Sequence, residues 1–433
     1  MNDRLQRIQA LADSWGSLYL FHPAIGRDLS QRDWGQTFIT ALPQVEQATD
    51  LATALDIIKT HVVDHLPSVQ TVCMDSPDSR VHAGWNEDGY PYVYGQKQVQ
   101  DAGQSSLLFR LEQQPRALGQ SETKGLSRAE RMLGLCKVWI VLRYFAPQIA
   151  RSKLDLNTLL SNWLPRVEAA AGVEEYYHVL AALAVQLADR HAGVIAPPEW
   201  SSNAIEYRPL KQTLLGSTWL GKKQYLRALT DNLVYMWPFA MPAAPSLRET
   251  FTLIQNTHGL MLDLRGYPQT HFQHELVRCL CELPVSSPRY EIPVVGEPDV
   301  RKRSWKVIQY IIQPDGRAVY TQPVVALIDE TTQSSAEDFC MYLKIAERVT
   351  FVGRCTAGCV GNATYVNLPG GGRFTFTGMR VTWPDGNPVW GIGIVPDVIV
   401  ESKREGVNPD RDETLEKGLE TLRALCVYEP VSH

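Results

Sequence analysis

From about Asn232 to Gly353, short apolar runs rich in branched side chains alternate with segments of helical period, and nothing else in the chain constrains its fold so strongly. LVYMW is followed by SLRETFTLIQNT, GLMLDLRG by FQHELVRCLCEL, and YEIPVV and VVALID precede a helical stretch that ends at RVTFVG. Strands joined through helices rather than tight turns pair in parallel, so the alternation predicts an α/β core. One junction carries chemistry. The buried-type strand Val324 to Ile328 breaks at a polar cluster, Asp329 to Ser335, before the helix begins. Ser334 falls at or just before the first helical turn, with Glu337 and Asp338 inside it, where acidic side chains suit the positive end of the dipole. A nucleophile gains from that place, because backbone N–H groups at a helix N-terminus can receive the charge of an attacked carbonyl. A capping serine ahead of a core helix has the same pattern.

The run Thr332-Gln333-Ser334-Ser335-Ala336-Glu337 resembles the T-x-S-A-A-E segment of the carboxyl-terminal processing (tail-specific) and tricorn-core serine peptidases. Further matches follow in that family's order: GLMLDLRG, FVGRCTAG (Phe351 to Gly358), WPDG (Trp383 to Gly386), GIGIVPDVIV (Gly391 to Val400) and RDETLEKGLETL (Arg411 to Leu422). They cover about Arg131 to Leu425. The resemblance implies an α/β fold, α+β overall, whose core is a crotonase-like β-α spiral preceded by helical units. It also implies a serine hydrolase working through an acyl-enzyme, without cofactor or metal.

The tail-specific branch takes its general base from a Lys placed 25 residues after the nucleophile, and Cys359 holds that place here. The tricorn-like branch resembles a solution, since its base is a His at the end of an upstream helical segment. LAVQLADRHAGV matches that segment and makes His191 the candidate. An imidazole titrating near 6.5 can take the serine proton and return it to the leaving group. The family's oxyanion donors map onto the N–H of Ser335 and one from the loop after the DLR strand. That loop reads Arg265-Gly266-Tyr267-Pro268, and because Pro268 has no N–H, Gly266 is favoured. For the group that orients the imidazole, Glu337 matches the family's Glu but also fits an S-x-x-E capping box. The other Glu used in the tricorn branch would fall near Trp390, where none is present. Asp189, two residues before His191, is expected to point away from it along a helix. Cys359 remains a thiol neighbour of the site, with a cysteine nucleophile as a minor alternative.

The first 200 residues read as a repeat. Leu5 to His65 and Arg131 to His191 each read as three amphipathic helices; Trp15 and Pro23 stand eight apart, as do Trp139 and Pro147, and Leu42-Pro43 matches Leu164-Pro165. Three regions follow: 1–125, a helical unit with a small β-rich segment; 126–200, a second helical unit carrying His191; and 201–433, the α/β core with a C-terminal helix. Tyr90, Tyr92 and Tyr94 alternate as in an edge hairpin, and SLLFRL reads as a strand. Between Pro197 and Val234 lie fewer than 40 residues, too few for the peptide-tethering PDZ module of tail-specific proteases.

With 42 basic and 47 acidic residues the formal charge is -5, which points neither to nucleic acid nor to an anionic membrane. No stretch has transmembrane length and the start has no apolar leader, so a cytoplasmic protein is expected. Eight scattered Cys read as reduced thiols. His271 and His274 lack an obvious third ligand, and the PGGGR turn lacks a phosphate-loop context. The reading is a serine hydrolase, most simply a peptidase, with a peptide or small acyl substrate and homo-oligomerisation left open. Two alternatives stand beside it: acyl transfer or ester hydrolysis on a small molecule or peptide, and ligand binding on a catalytically dead frame.

Overall fold

Among the described residues, six α-helices in two sets of three occupy the N-terminal part of the chain: α1 (Asp3–Phe21), α2 (Trp34–Gln47) and α3 (Leu51–Ile58), then α4 (Arg128–Phe145), α5 (Leu156–Ala169) and α6 (Val173–Gln186). The computed structural model describes residues 3–21, 34–63, 82–85, 91–94, 125–151, 154–196, 206–207, 225–240, 246–268, 272–294, 298–401 and 412–427. Ile8, Leu11, Ala12, Trp15 and Tyr19 recur at helical spacing on α1 and are all buried. The two sets repeat each other bond for bond. Arg7 Nε donates to the Val45 carbonyl and Nη2 to that of Glu46, while Arg131 makes the same two bonds to Val167 and Glu168. Trp15 Nε1 donates to Trp34 O and Trp139 Nε1 to Leu156 O, each at 2.8 Å. Pro43 and Pro165 sit inside matching helices. Where the copies meet, Arg4 and Arg128 each pair with both Glu46 and Glu168. Burial would raise the Glu46 carboxyl, but the two guanidiniums prevail and hold it below its ordinary value.

Two compact units partition the chain. The first comprises Met1–Leu210, Ile292–Lys306 and Asn362–Arg380; the second comprises Lys211–Glu291, Val307–Gly361 and Val381–His433. Besides the helices, the first contains a four-stranded antiparallel sheet in the order Ala363–Asn367, Arg373–Thr377, Gly193–Ile195, Glu206–Tyr207. PGGGR is the hairpin turn between its first two strands, where the Tyr177 hydroxyl donates to Pro369 O and accepts from Gly372 N. It is a packed turn. Strands His82–Trp85 and Pro91–Tyr94 pair antiparallel as the alternating tyrosines predict. SLLFRL, most of the 197–234 linker and His271 lie outside the described residues.

The second unit holds a six-stranded sheet in the order Val398–Ile399, Thr350–Gly353, Val324–Ile328, Gly259–Asp263, Leu233–Met236, Leu226–Ala228. All neighbours are parallel except the last pair. Helices α7 (Leu247–Ile254), α8 (Gln273–Leu280), α9 (Ser335–Ile345) and α10 (Glu413–Val427) belong to this unit. Every residue of Gly259–Asp263 and Val324–Ile328 is buried, as expected of central parallel strands covered on both faces. Their carboxyl ends lie on one edge, and that is the edge at which open α/β sheets place their ligands.

Candidate active site

Ser334 follows the central strand Val324–Ile328 through a short turn and caps α9 with φ 52° and ψ -115°. A non-glycine residue pays for such a conformation unless its surroundings impose it. They do so here. Asp329 Oδ1 accepts from Thr331 N, Thr332 N donates to Asp329 O, and Thr332 Oγ1 donates to Leu264 O on the neighbouring strand's exit. Ala357 N closes the turn from the other side by donating to Thr332 O at 3.0 Å. The Ser334 side chain is largely buried, and its Oγ is 3.4 Å from Gly361 O.

Glu337 holds the elbow from within. Its fully buried carboxylate receives Thr356 Oγ1 and Gly358 N at 2.6 Å on Oε1, and Cys359 N at 2.9 Å and Ser334 N at 3.1 Å on Oε2. Burial pushes this carboxyl above its ordinary value, against the pull of those four donors. Of the two readings of Glu337, imidazole orienter and capping acid, these bonds support the second, extended into a clamp on the 356–359 loop. Thr356 Oγ1 in turn accepts from Ile394 N at 2.7 Å. Gly393, at φ 79°, could carry no side chain, because a Cβ would lie 2.5 Å from Thr356 O. FVGRCTAG and GIGIVPD thus both help to brace Ser334 through Glu337. Cys359 joins the clamp by its main chain, and it is buried.

The loop bearing Gly266 is fixed by an ion network. Arg265 forks onto both oxygens of Asp263 at 2.9 and 2.8 Å and onto both of Asp412 at 2.9 and 2.8 Å. Tyr235 OH also donates to Asp263, at 2.8 Å. Gly266 follows with φ 102°, a backbone direction that suits glycine. Ser335 is the first residue of α9. Ser334, Ser335, Glu337, Cys359 and Gly266 all belong to the second unit, whereas His191 belongs to the first.

His191 does not end a helix. α6 stops at Gln186, Ala188 turns left-handed at φ 51°, and the strand Gly193–Ile195 starts just beyond. The expectation that Asp189 points away along a helix is thereby corrected, because the helix has ended before Asp189 is reached. Its buried carboxylate accepts from His191 N at 2.9 Å and from Thr377 N and Oγ1 at 2.6 Å each. Thr377 Oγ1 is also 2.8 Å from His191 Nδ1. Thr377 escaped the sequence reading because it reaches the histidine only through pairing of strands 180 residues apart. The D-x-H spacing was a usable signal, since an Asp side chain commonly bonds the N–H two residues on.

His274 Nε2 bonds Tyr310 OH at 2.8 Å. Among the described residues no group of three or more His, Cys, Asp or Glu is placed to hold a metal, and no helix is long and apolar enough to cross a membrane.

Residues 287–400 match the sequence pattern of Peptidase family S41. That segment resembles a domain of this family. It contains Ser334, the Glu337 clamp and Thr377, and it does not extend to His191 or Gly266. A putative peptidase from Parabacteroides merdae ATCC 43184 has a similar structure, with TM-score 0.56 and 17% identity over 69% of this chain and 97% of that one. Mature CPAF complexed with lactacystin gives TM-score 0.51 and 13% identity over 69% of this chain and 98% of that one. At such identities the likeness concerns the fold. A search of curated protein sequences finds no match.

Proposed function

We propose that this chain is a serine peptidase in which Ser334 is the nucleophile and His191 the general base. The observation that carries the reading is the imposed positive φ of Ser334 at the start of α9, at the carboxyl end of a central parallel strand and inside the S41 segment. A serine held on a strained strand-to-helix turn presents its hydroxyl and places the next N–H toward a developing oxyanion. Ser334 Oγ bonds to the peptide carbonyl carbon as His191 Nε2 takes its proton, with the N–H groups of Ser335 and Gly266 receiving the oxyanion. The C–N bond then breaks, the amine leaves with that proton, and water repeats the sequence to free the acid from the acyl-enzyme. We assign this chemistry to a crotonase-like β-α spiral and a cytoplasmic setting.

A second reading, acyl transfer or ester hydrolysis by the same serine, draws on one observation: buried Cys359 stands where the tail-specific branch has its lysine. Fluorophosphonate labelling with mass-spectrometric location of the adduct tests the nucleophile. The expected result is label on Ser334, none on Ser334→Ala and at least about 100-fold slower labelling of His191→Ala. Folded wild type that takes no label overturns the hydrolase reading. Labelled protein that cleaves small esters but no unfolded polypeptide favours the second.

A further inference from the structure

We infer that Asp189 and Thr377 are positioning residues that set the tautomer of His191 through a bridging hydroxyl, a role that rests on His191 being the general base. The argument is one of proton count. Three donors converge on the Asp189 carboxylate, two of them backbone N–H groups, so it acts as acceptor. The Thr377 hydroxyl has a single proton and spends it on Asp189 Oδ1 at 2.6 Å. Toward His191 Nδ1, 2.8 Å away, the hydroxyl therefore offers a lone pair, and Nδ1 must carry the hydrogen. The neutral ring then has its unprotonated nitrogen at Nε2, the atom a general base uses. When Nε2 takes a proton, the chain Nδ1–H to hydroxyl to carboxylate is already aligned to stabilise the imidazolium.

The frame is rigid where it needs to be. Thr377 is fully buried and Asp189 only 4% exposed. The histidine's carbonyl accepts from Thr375 Oγ1 at 2.6 Å, and Thr375 is in register with Gly193. Ring and hydroxyl are thus fixed to the same pair of strands. A Ser-His-Asp triad bonds the carboxylate to the imidazole directly; here a threonine stands between them, and the acid comes from the same turn as the base.

The test combines a direct reading of the tautomer with a kinetic one on the full chain. In protein labelled with ¹⁵N-histidine, two-bond ¹H–¹⁵N spectra above the ring's pKa should show His191, assigned by its absence in His191→Ala, protonated on Nδ1. Thr377→Val should lose that preference and slow fluorophosphonate labelling of Ser334 by about 10-fold to 100-fold. Thr377→Ser, which keeps the hydroxyl, should restore both to within about threefold. Wild type protonated on Nε2, or Thr377→Val that folds and labels at the wild-type rate, overturns the relay. Wild type protonated on Nδ1 that never labels at Ser334 supports the tautomer assignment and overturns the catalytic reading on which its role rests. If Thr377→Val fails to fold, the wild-type tautomer and the serine variant still decide.

Discussion

Glu337 makes the elbow a matter of acid chemistry. Its four donors leave no place for a side-chain NH₂, so Glu337→Gln should turn at least one of them from partner to clash. We expect a loss of roughly 2–4 kcal/mol in urea unfolding and no detectable Ser334 labelling, whereas a catalytic role alone would leave stability untouched. The next residue gives a pH signature. Asp338 is half-buried, and desolvation raises its carboxyl to about 6 against the hydrogen bond from Tyr290 OH at 2.7 Å, with Gln273 Nε2 a longer donor at 3.5 Å. With the folded pKa raised, the contribution to stability is present below about pH 4 and lost as pH rises through about 6. Relative to Asp338→Asn, wild type should lose up to about 3 kcal/mol between pH 4 and pH 7. Equal pH slopes in the two proteins would sink the assignment. At this scale the sequence was most readable where the signal was local: Ser334 announced itself by a strand, a polar break and a helix. Asp189 was misread for want of two residues in a helix end, the least determinate feature of any pattern.

Among the elements, the duplicated helices were legible because each copy repeats a Trp and a Leu-Pro pair at matched positions, and the two tryptophans close the same bond twice. The charged positions divide by burial. Arg131 is largely buried and satisfies the carbonyls of Val167 and Glu168 at the end of α5, so Arg131→Met leaves buried acceptors without donors. That should cost about 1–3 kcal/mol. Arg4 has a side chain 37% exposed, and Arg128 meets the same two glutamates. Arg4→Gln should therefore cost only about 0.5 kcal/mol, and less at high salt. Thermal unfolding of the two variants checks the order; a costlier Arg4 change would mean that the ion cluster, not the capping, joins the copies. The parallel sheet was equally legible, since its strands are continuous apolar runs. The antiparallel sheet of the first unit was legible only in its PGGGR hairpin, because its other strands are two and three residues long and nothing local tells Gly193–Ile195 to pair with Arg373–Thr377.

At the scale of the whole molecule, the sequence boundaries near residues 125 and 200 follow composition, whereas the compact units follow contacts and are discontinuous. The chain enters the second unit after Leu210, returns to the first for Ile292–Lys306 and again for Asn362–Arg380, and ends in the second. A linear reading finds helices in the first unit but cannot see that its sheet is finished only by residues 363–377. This has a consequence for the histidine. In a fragment of residues 1–210 the two helical sets keep their own cores, Trp15 and Phe38 in one and Trp139 and Leu160 in the other. The strand Gly193–Ile195 keeps its short partner Glu206–Tyr207 but loses Arg373–Thr377, and Asp189 loses both donors of Thr377. Backbone groups that keep their bonds exchange slowly and those that lose them do not. Hydrogen exchange by mass spectrometry should therefore show α4–α6 protected in fragment and full chain alike, with the peptide spanning 189–195 clearly less protected in the fragment than in the full chain. Equal protection of that peptide in both would mean that the helices alone hold His191 in place, and the late strand would then serve the fold without serving the base.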